Sequence, residues 1–250
     1  MIAVGRGSVT DITEKVVSEN KMEDKICVIN SPVEDIISLP DGLDKVDIIV
    51  SDWFGDMLLH RFALMSVIKA RDKFLKHGGK MFPDTASLYM VGIDDAQYFE
   101  QTCLSYWNNV YGINMAAMAD AERKEPQFIN LDERHVMTNN CLIREIDINT
   151  IKKEEIDFNV PYELEISKKG YIRGFAIFYS AMFSEGLRRV TFSTLQYKEK
   201  TVLYLKEFLV CQLGDQLKGA VHMEQQEDKL KMRVKVEFKV EKRDEEYHLL

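Results

Sequence analysis

The carboxylates best placed to do chemistry stand just past the ends of apolar strands. Asp52 follows Val46 to Val50, written VDIIV, a nearly continuous apolar run of the kind a parallel strand covered on both faces requires. That puts Asp52 beyond the carboxyl end of a buried strand, where open α/β sheets bind their ligands. It reads either as a carboxylate facing a cationic substrate or a cofactor, or as a helix-capping Asp. Trp53 beside it reads as a packing aromatic. Glu34, after Val33, follows a strand that ends near Asn30, and on periodicity alone it reads as a solvated loop charge. Gly5-Arg6-Gly7 lies between a strand and a helix, where a phosphate-cradling loop would sit, but the third glycine is missing and the segment reads as a tight turn. The histidines His60, His77, His135, His222 and His248 have no metal-ligand spacing, and no Ser-His-Asp elbow occurs, so metal and hydrolytic chemistry have no support. Cys27, Cys103, Cys141 and Cys211 are isolated, which fits a reducing compartment, cytosol or nucleus.

The elements that must position these residues change character along the chain. Met1 to Val4 reads as a short strand, and a helix opened by Asp11 with Glu14 three residues on would bury Ile12, Val16 and Val17. Ile26 to Ile29 reads as the next strand, completing a βαβ unit. After VDIIV, a helix carries Leu64, Val67, Ile68, Phe74 and Leu75 on one face and stops at Gly78-Gly79. The first third is therefore part of a doubly wound sheet. Beyond Pro83 the period becomes two: Met232, Val234, Val236, Phe238 and Val240 alternate with charged residues over Leu230 to Glu241. Similar runs at Leu142 to Ile148, Tyr162 to Ser167, Ile172 to Phe183, Thr201 to Leu205 and Leu217 to Met223 predict an antiparallel sandwich or barrel. Tyr98 to Pro126 interrupts this pattern with Tyr98, Phe99, Tyr106, Trp107, Tyr111, Met115 and Met118. So much aromatic and Met surface either folds onto its own core or docks on a partner.

Composition bounds the function. The 250 residues carry 33 Lys plus Arg against 41 Asp plus Glu, a net charge of −8 with no basic stripe, which excludes nucleic acid as a partner class. Apolar residues make up 46% of the chain, enough to bury a core. No run approaches the roughly 18 apolar residues of a membrane helix, and the opening MIAVGRGSV lacks a signal-peptide core, so a soluble cytoplasmic or nuclear protein without membrane contact is expected.

From Val33-Glu34 onward the chain resembles the protein arginine methyltransferases, most closely the type I members. The matching segments are VDIIVSDWFG at 46–55, ARDKFLKHGGKMFPDTASLY at 70–89, YWNNVYG at 106–112, TNNCLIREIDINT at 138–150 and VTFST at 190–194. The resemblance implies an α/β plus β architecture: a partial Rossmann-like methyl-donor domain over 1–82, then an antiparallel β-barrel domain over 83–250 with a helical dimerisation arm at 98–126. It also implies S-adenosylmethionine as cofactor and protein arginine as substrate. Val33 and Glu34 match the family's adenine-contacting pair. Asp52 matches the first of two catalytic glutamates, one methylene shorter, and Arg61 stands where the second should be. A cation there reverses the contact with a guanidinium: two unit charges 4 Å apart interact by about 4 kcal/mol at an effective dielectric of 20. The resemblance further implies that Asp52 and Arg61 pair across their hairpin. Gly5 stands where the family carries an acid for the donor ribose, the glycine-rich donor loop would precede Met1, and the Thr-His-Trp loop expected after VTFST is shortened. The expected function is therefore a non-catalytic regulatory or partner subunit that binds a methyltransferase-family chain, itself or another, through Tyr98, Tyr106, Trp107, Tyr111 and Met115. The alternative is an active arginine methyltransferase seen as a piece of a longer chain.

Overall fold

The computed structural model describes residues 1–59, 63–194, 199–226, 229–239 and 241–249. The N-terminal third forms two separate parallel pairs. Strand β1 (Ile2–Gly5) runs into helix α1 (Ser8–Glu19) and returns as β2 (Cys27–Asn30), which lies in register with β1 from Ile2 opposite Cys27 to Gly5 opposite Asn30. Strand β3 (Val46–Val50), helix α2 (Ala63–Phe74) and β4 (Leu75–Phe82) build the second pair. Helix α2 buries Leu64, Val67, Ile68 and Phe74, as its 3.6-residue spacing requires, but it ends at Phe74 rather than at Gly78-Gly79: the chain turns extended at Leu75, and both glycines lie inside β4. Gly78 adopts a positive φ of 75° inside β4, and the β3–β4 register slips there, from Val46 opposite Leu75 to Ile48 opposite Lys80.

Two further expectations for this third fail. VDIIV is not covered on both faces: among the described residues β3 pairs only with β4, and Val50 is 73% exposed. A strand in a two-stranded sheet has a free edge and too little cover to bury the residues its composition calls for. Helix α1 starts at Ser8, with Gly7 as an uncapped N-terminus, and Asp11 lies within its first turn. Val17 is buried, but Ile12 and Val16 face solvent with Val9, because α1 covers only a two-stranded sheet.

From Thr85 onward the chain is antiparallel. Strands β5 (Thr85–Ile93), β6 (Gln127–Asn130), β7 (Cys141–Asp147), β9 (Gly170–Phe183) and β11 (Glu199–Cys211) form a sheet of order β6-β11-β9-β5-β7, with β10 (Val190–Ser193) on β9. Strands β8 (Phe158–Glu165), β12 (Gln216–Gln226), β13 (Lys229–Phe238) and β14 (Glu241–Leu249) form a second sheet, β14-β13-β12-β8. Among the described residues both sheets are open, and strand pairing does not close them into one barrel. Their inner faces meet in the main core, where Leu88, Phe175, Ile177, Leu203 and Leu205 pack with Tyr162, Leu164, Leu217, Val221 and Val234. The same core takes in Leu64, Val67 and Ile68 of α2, so packing is continuous across residues 82–83.

The first sheet is covered on its outer face too. Val91, Ile93, Ile129, Ala176, Phe178, Val202 and Tyr204 form a second core with Phe99 from the excursion that follows β5. Thr201 to Leu205, expected to alternate like Met232 to Phe238, is instead buried throughout, because its strand is covered on both faces and the other on one. The excursion consists of α3 (Ala96–Tyr98), a π-helical stretch Phe99–Ser105, short turns and α4 (Ala119–Arg123). Strand β14 was absent from the periodicity reading, because its sequence, EKRDEEYHL, offers little apolar alternation. Lys242 faces Glu237, while Glu246 lies 3.1 Å from both Lys231 and Arg233, so cross-strand ion pairs line β14 instead.

Candidate functional site

The candidate site gathers at the carboxyl ends of the parallel strands. Past Val50, the Ser51 N–H donates to the Phe82 carbonyl at 3.0 Å, which ties the segment to β4. The chain then folds back in a tight hairpin: Gly55 and Leu58 exchange backbone hydrogen bonds of 3.1 and 2.9 Å, with Met57 and Leu58 both at positive φ. Such left-handed geometry in two bulky residues is costly. It is held by burial, since Met57, Leu58, Leu59 and Trp53 all sit in the main core. Trp53 packs on Phe54 at 4.9 Å, Phe54 on Tyr179 at 5.4 Å and Tyr179 on Phe192 at 6.4 Å, so an aromatic chain braces the hairpin against β9 and β10. Trp53 is thus a packing aromatic, as its sequence context indicates.

Asp52 is exposed at the start of this hairpin. Arg61, and with it the expected Asp52–Arg61 pair, lies outside the described residues, as does the Leu195–Lys198 segment that replaces the Thr-His-Trp loop. The VTFST strand ends on Thr194, whose N–H and hydroxyl both donate to the Tyr179 carbonyl and whose Oγ1 accepts from the Tyr179 N–H.

Val33 and Glu34 form a short 3₁₀ turn after β2. Glu34 is half-buried rather than a free loop charge: its Oε1 accepts from the Ser66 hydroxyl at 2.7 Å and lies 3.7 Å from Lys69 Nζ. The Ser66 hydrogen bond holds its carboxyl below the ordinary glutamate range, against the opposing effect of burial, with Lys69 adding a smaller pull the same way. Ser66 and Lys69 were not among the residues singled out from sequence. The signal was available in their i, i+3 spacing, which puts both on one face of the helix.

At the end of β1, Gly7 has a positive φ of 71°, and its N–H donates to Asn30 Oδ1 at 3.0 Å while Asn30 Nδ2 donates to Asp11. Gly5-Arg6-Gly7 is the tight turn its missing glycine implies. A Cβ at Gly5 would meet Thr10 Oγ1 at 2.9 Å, so no larger side chain fits there unless Thr10 moves.

The five aromatic and Met residues expected to dock on a partner do not share one environment. Tyr98 is half-buried and stacks on Tyr204 of its own chain at 6.2 Å. Trp107 and Met115 are half-buried and linked, Met115 N–H donating to the Trp107 carbonyl at 2.8 Å, and Tyr106 meets Trp107 edge-on at 5.1 Å. Val110 and Ile113 bridge to form a hairpin whose tip is Tyr111, φ 52° and 99% exposed. Among the described residues no group of three or more His, Cys, Asp or Glu could hold a metal ion.

Two short parallel strand pairs feeding two antiparallel sheets, with a helical excursion rooted on the outer face of one of them, match known proteins. Residues 84–244 match the family model described as the arginine methyltransferase oligomerization subdomain. The chain is 37% identical over 216 residues to protein arginine N-methyltransferase 1 of Caenorhabditis elegans, covering 84% of this chain and 62% of the relative. It is 33% identical over 226 residues to the Dictyostelium discoideum protein of the same name, covering 88% and 65%. Among solved structures, a chain of the Trypanosoma brucei PRMT1 enzyme-prozyme heterotetrameric complex with AdoHcy superposes with a TM-score of 0.90 at 27% identity, covering 100% of this chain and 81% of that one. Arabidopsis thaliana protein arginine methyltransferase 10 superposes at 0.83 with 21% identity, a likeness of fold, over 100% of this chain and 82% of that one. The chain belongs to the protein arginine methyltransferase family. It spans 62% and 65% of the length of those two curated relatives.

Proposed function

We propose that this chain is a non-catalytic subunit of an arginine methyltransferase assembly, which associates through residues 98–126 and carries no competent donor or substrate site of its own. The observation that carries the reading is the state of Glu34. Of the Val33 and Glu34 pair that matches the family's adenine contacts, the Glu34 carboxyl already accepts from Ser66 through Oε1 and lies 3.7 Å from Lys69, so an adenine would have to share that carboxyl with α2. The position of the ribose acid is Gly5, packed on Thr10, which leaves no room for a carboxylate-bearing side chain in the present arrangement. Asp52 is a shorter acid than the glutamate it replaces and is exposed, and its counterpart position holds Arg61. A donor bound without an acid at the Gly5 position would leave its ribose hydroxyls without that acceptor. The division at residues 82–83 belongs to the same proposal: a partial donor domain, then a barrel-type domain of two antiparallel sheets carrying the arm. The likeness to a chain of an enzyme–prozyme complex supports a partner role, and the oligomerization description of residues 84–244 supports association.

The test is transfer of a radiolabelled methyl group from S-adenosylmethionine to an Arg-Gly-rich peptide, with calorimetry of donor binding. No transfer and no saturable binding in the low micromolar range by the chain alone, with either gained only in mixture with a full-length type I relative, is the expected result. Turnover by the chain alone overturns the proposal and leaves the active-enzyme reading in its place.

A further inference from the structure

The two roots of the excursion, far apart in sequence, converge on a single residue of the body. Tyr204 of β11 is fully buried, and its ring receives the N-terminal root: Tyr98 stacks at 6.2 Å with 17° between planes, and Phe99 packs at 5.0 Å, tilted by 48°. Its carbonyl receives the C-terminal root, accepting from Arg123 Nη1 at 3.4 Å at the end of α4. The same carbonyl accepts from the Tyr247 hydroxyl of β14 at 2.9 Å. Beyond Val202 no described strand pairs with β11 on its β6 side, and side chains of Arg123, Tyr247 and Glu245 bond to its backbone there. Arg123 also lies 3.5 Å from Glu245, whose other oxygen accepts from the Lys206 N–H at 3.3 Å. Arg123 is 5% exposed and Glu245 9%, a buried ion pair at the seam between the two sheets.

We propose that Tyr204, Arg123, Glu245 and Tyr247 form a clamp that fixes the angle of the 98–126 excursion on the body, and that Arg123 and Glu245 are positioning residues for association rather than members of the contact surface. The inference rests on the reading that this excursion drives association. Removing one member of a buried pair leaves the other charge buried and uncompensated, so the clamp opens as a unit. Because its roots stand on one residue, the excursion then swings or frays while the β5–β9 ladder stays intact. Ordering it again on the partner weakens binding.

The full chain and its Glu245→Gln and Tyr247→Phe variants are compared by hydrogen exchange and by sedimentation in mixture with a full-length type I relative, alongside Tyr111→Ala. Glu245→Gln should speed exchange across 96–126 by about 100-fold and Tyr247→Phe, an isosteric loss of one hydrogen bond, by about fivefold, with β5 and β9 unchanged. Both should weaken association in the same order. Exchange that rises evenly over the whole chain, or not at all in 96–126, overturns the clamp. Local loosening with undiminished association, while Tyr111→Ala weakens it, overturns the positioning role alone. Should Tyr111→Ala also leave association unchanged, the reading of the excursion as the associating arm fails, and the exchange data still decide whether the clamp exists.

Discussion

Tyr111→Ala separates a contact residue from a structural one. At 99% exposure the side chain makes almost no contact with its own chain. Its φ of 52° costs alanine about as much as tyrosine, since both carry a Cβ, so the turn is not relieved by the change. Folding stability should therefore move by no more than about 0.5 kcal/mol, the range for an exposed site with no partner. Association should suffer far more. A large aromatic desolvated at an interface centre typically costs about 2 kcal/mol or more on truncation, which is roughly a 30-fold weaker dissociation constant. Sedimentation velocity over a dilution series, with the chain alone and mixed with a full-length type I relative, reads the second quantity; urea unfolding reads the first. Unchanged association, or a stability loss as large as the binding loss, refutes the reasoning that Tyr111 is presented for a partner.

Other predictions follow from single contacts. Ser66→Ala should let the Glu34 carboxyl rise toward its ordinary range and lower stability at pH 7 by about 1 kcal/mol. Because the folded-state value is the depressed one, the wild-type advantage is present above the unfolded value and is lost as pH falls through the folded one. Urea melts of both proteins at pH 7 and pH 3 check this, and an equal gap at both would count against it. Gly219→Ala places a Cβ 1.8 Å from the Lys235 carbonyl and 2.9 Å from the Tyr162 ring, so the midpoint of unfolding should drop by an amount equivalent to about 1–3 kcal/mol. Joint Asp52→Glu and Arg61→Glu substitution should leave methyl transfer by the chain alone undetectable, because Gly5 and the Glu34–Ser66 bond are untouched. Measurable radiolabel transfer by that variant would show that the donor site is competent.

Periodicity and motif content carried most of the architecture because most of the signals reflect a face that must be buried. Val46 to Val50, the apolar face of Ala63–Phe74, the alternation in Leu230 to Phe238 and the switch from helical to strand period after Pro83 all reappear in the fold. The family was legible for a related reason: the hairpin after β3 needs VDIIVSDWFG as a unit, with Trp53 braced on Phe54 and the chain reversing at Gly55. Chain reading alone could not supply how much cover each element receives. The exposure of Val50, Ile12 and Val16 depends on how many strands share their sheet, a quantity that no local window contains. Tertiary structure also decided which of the excursion's aromatics look inward, since Tyr98 and Tyr111 are the same residue type and differ only in what the fold brings beside them. The same holds for charge. Glu34 became a bonded carboxylate because Ser66 lies one helical turn into α2, and Arg123 could be buried because Glu245, 122 positions on, closes over it. Burial and polar pairing across such separations are properties of the folded chain, and they turned a list of candidate residues into an occupied contact, an open tip and a clamp.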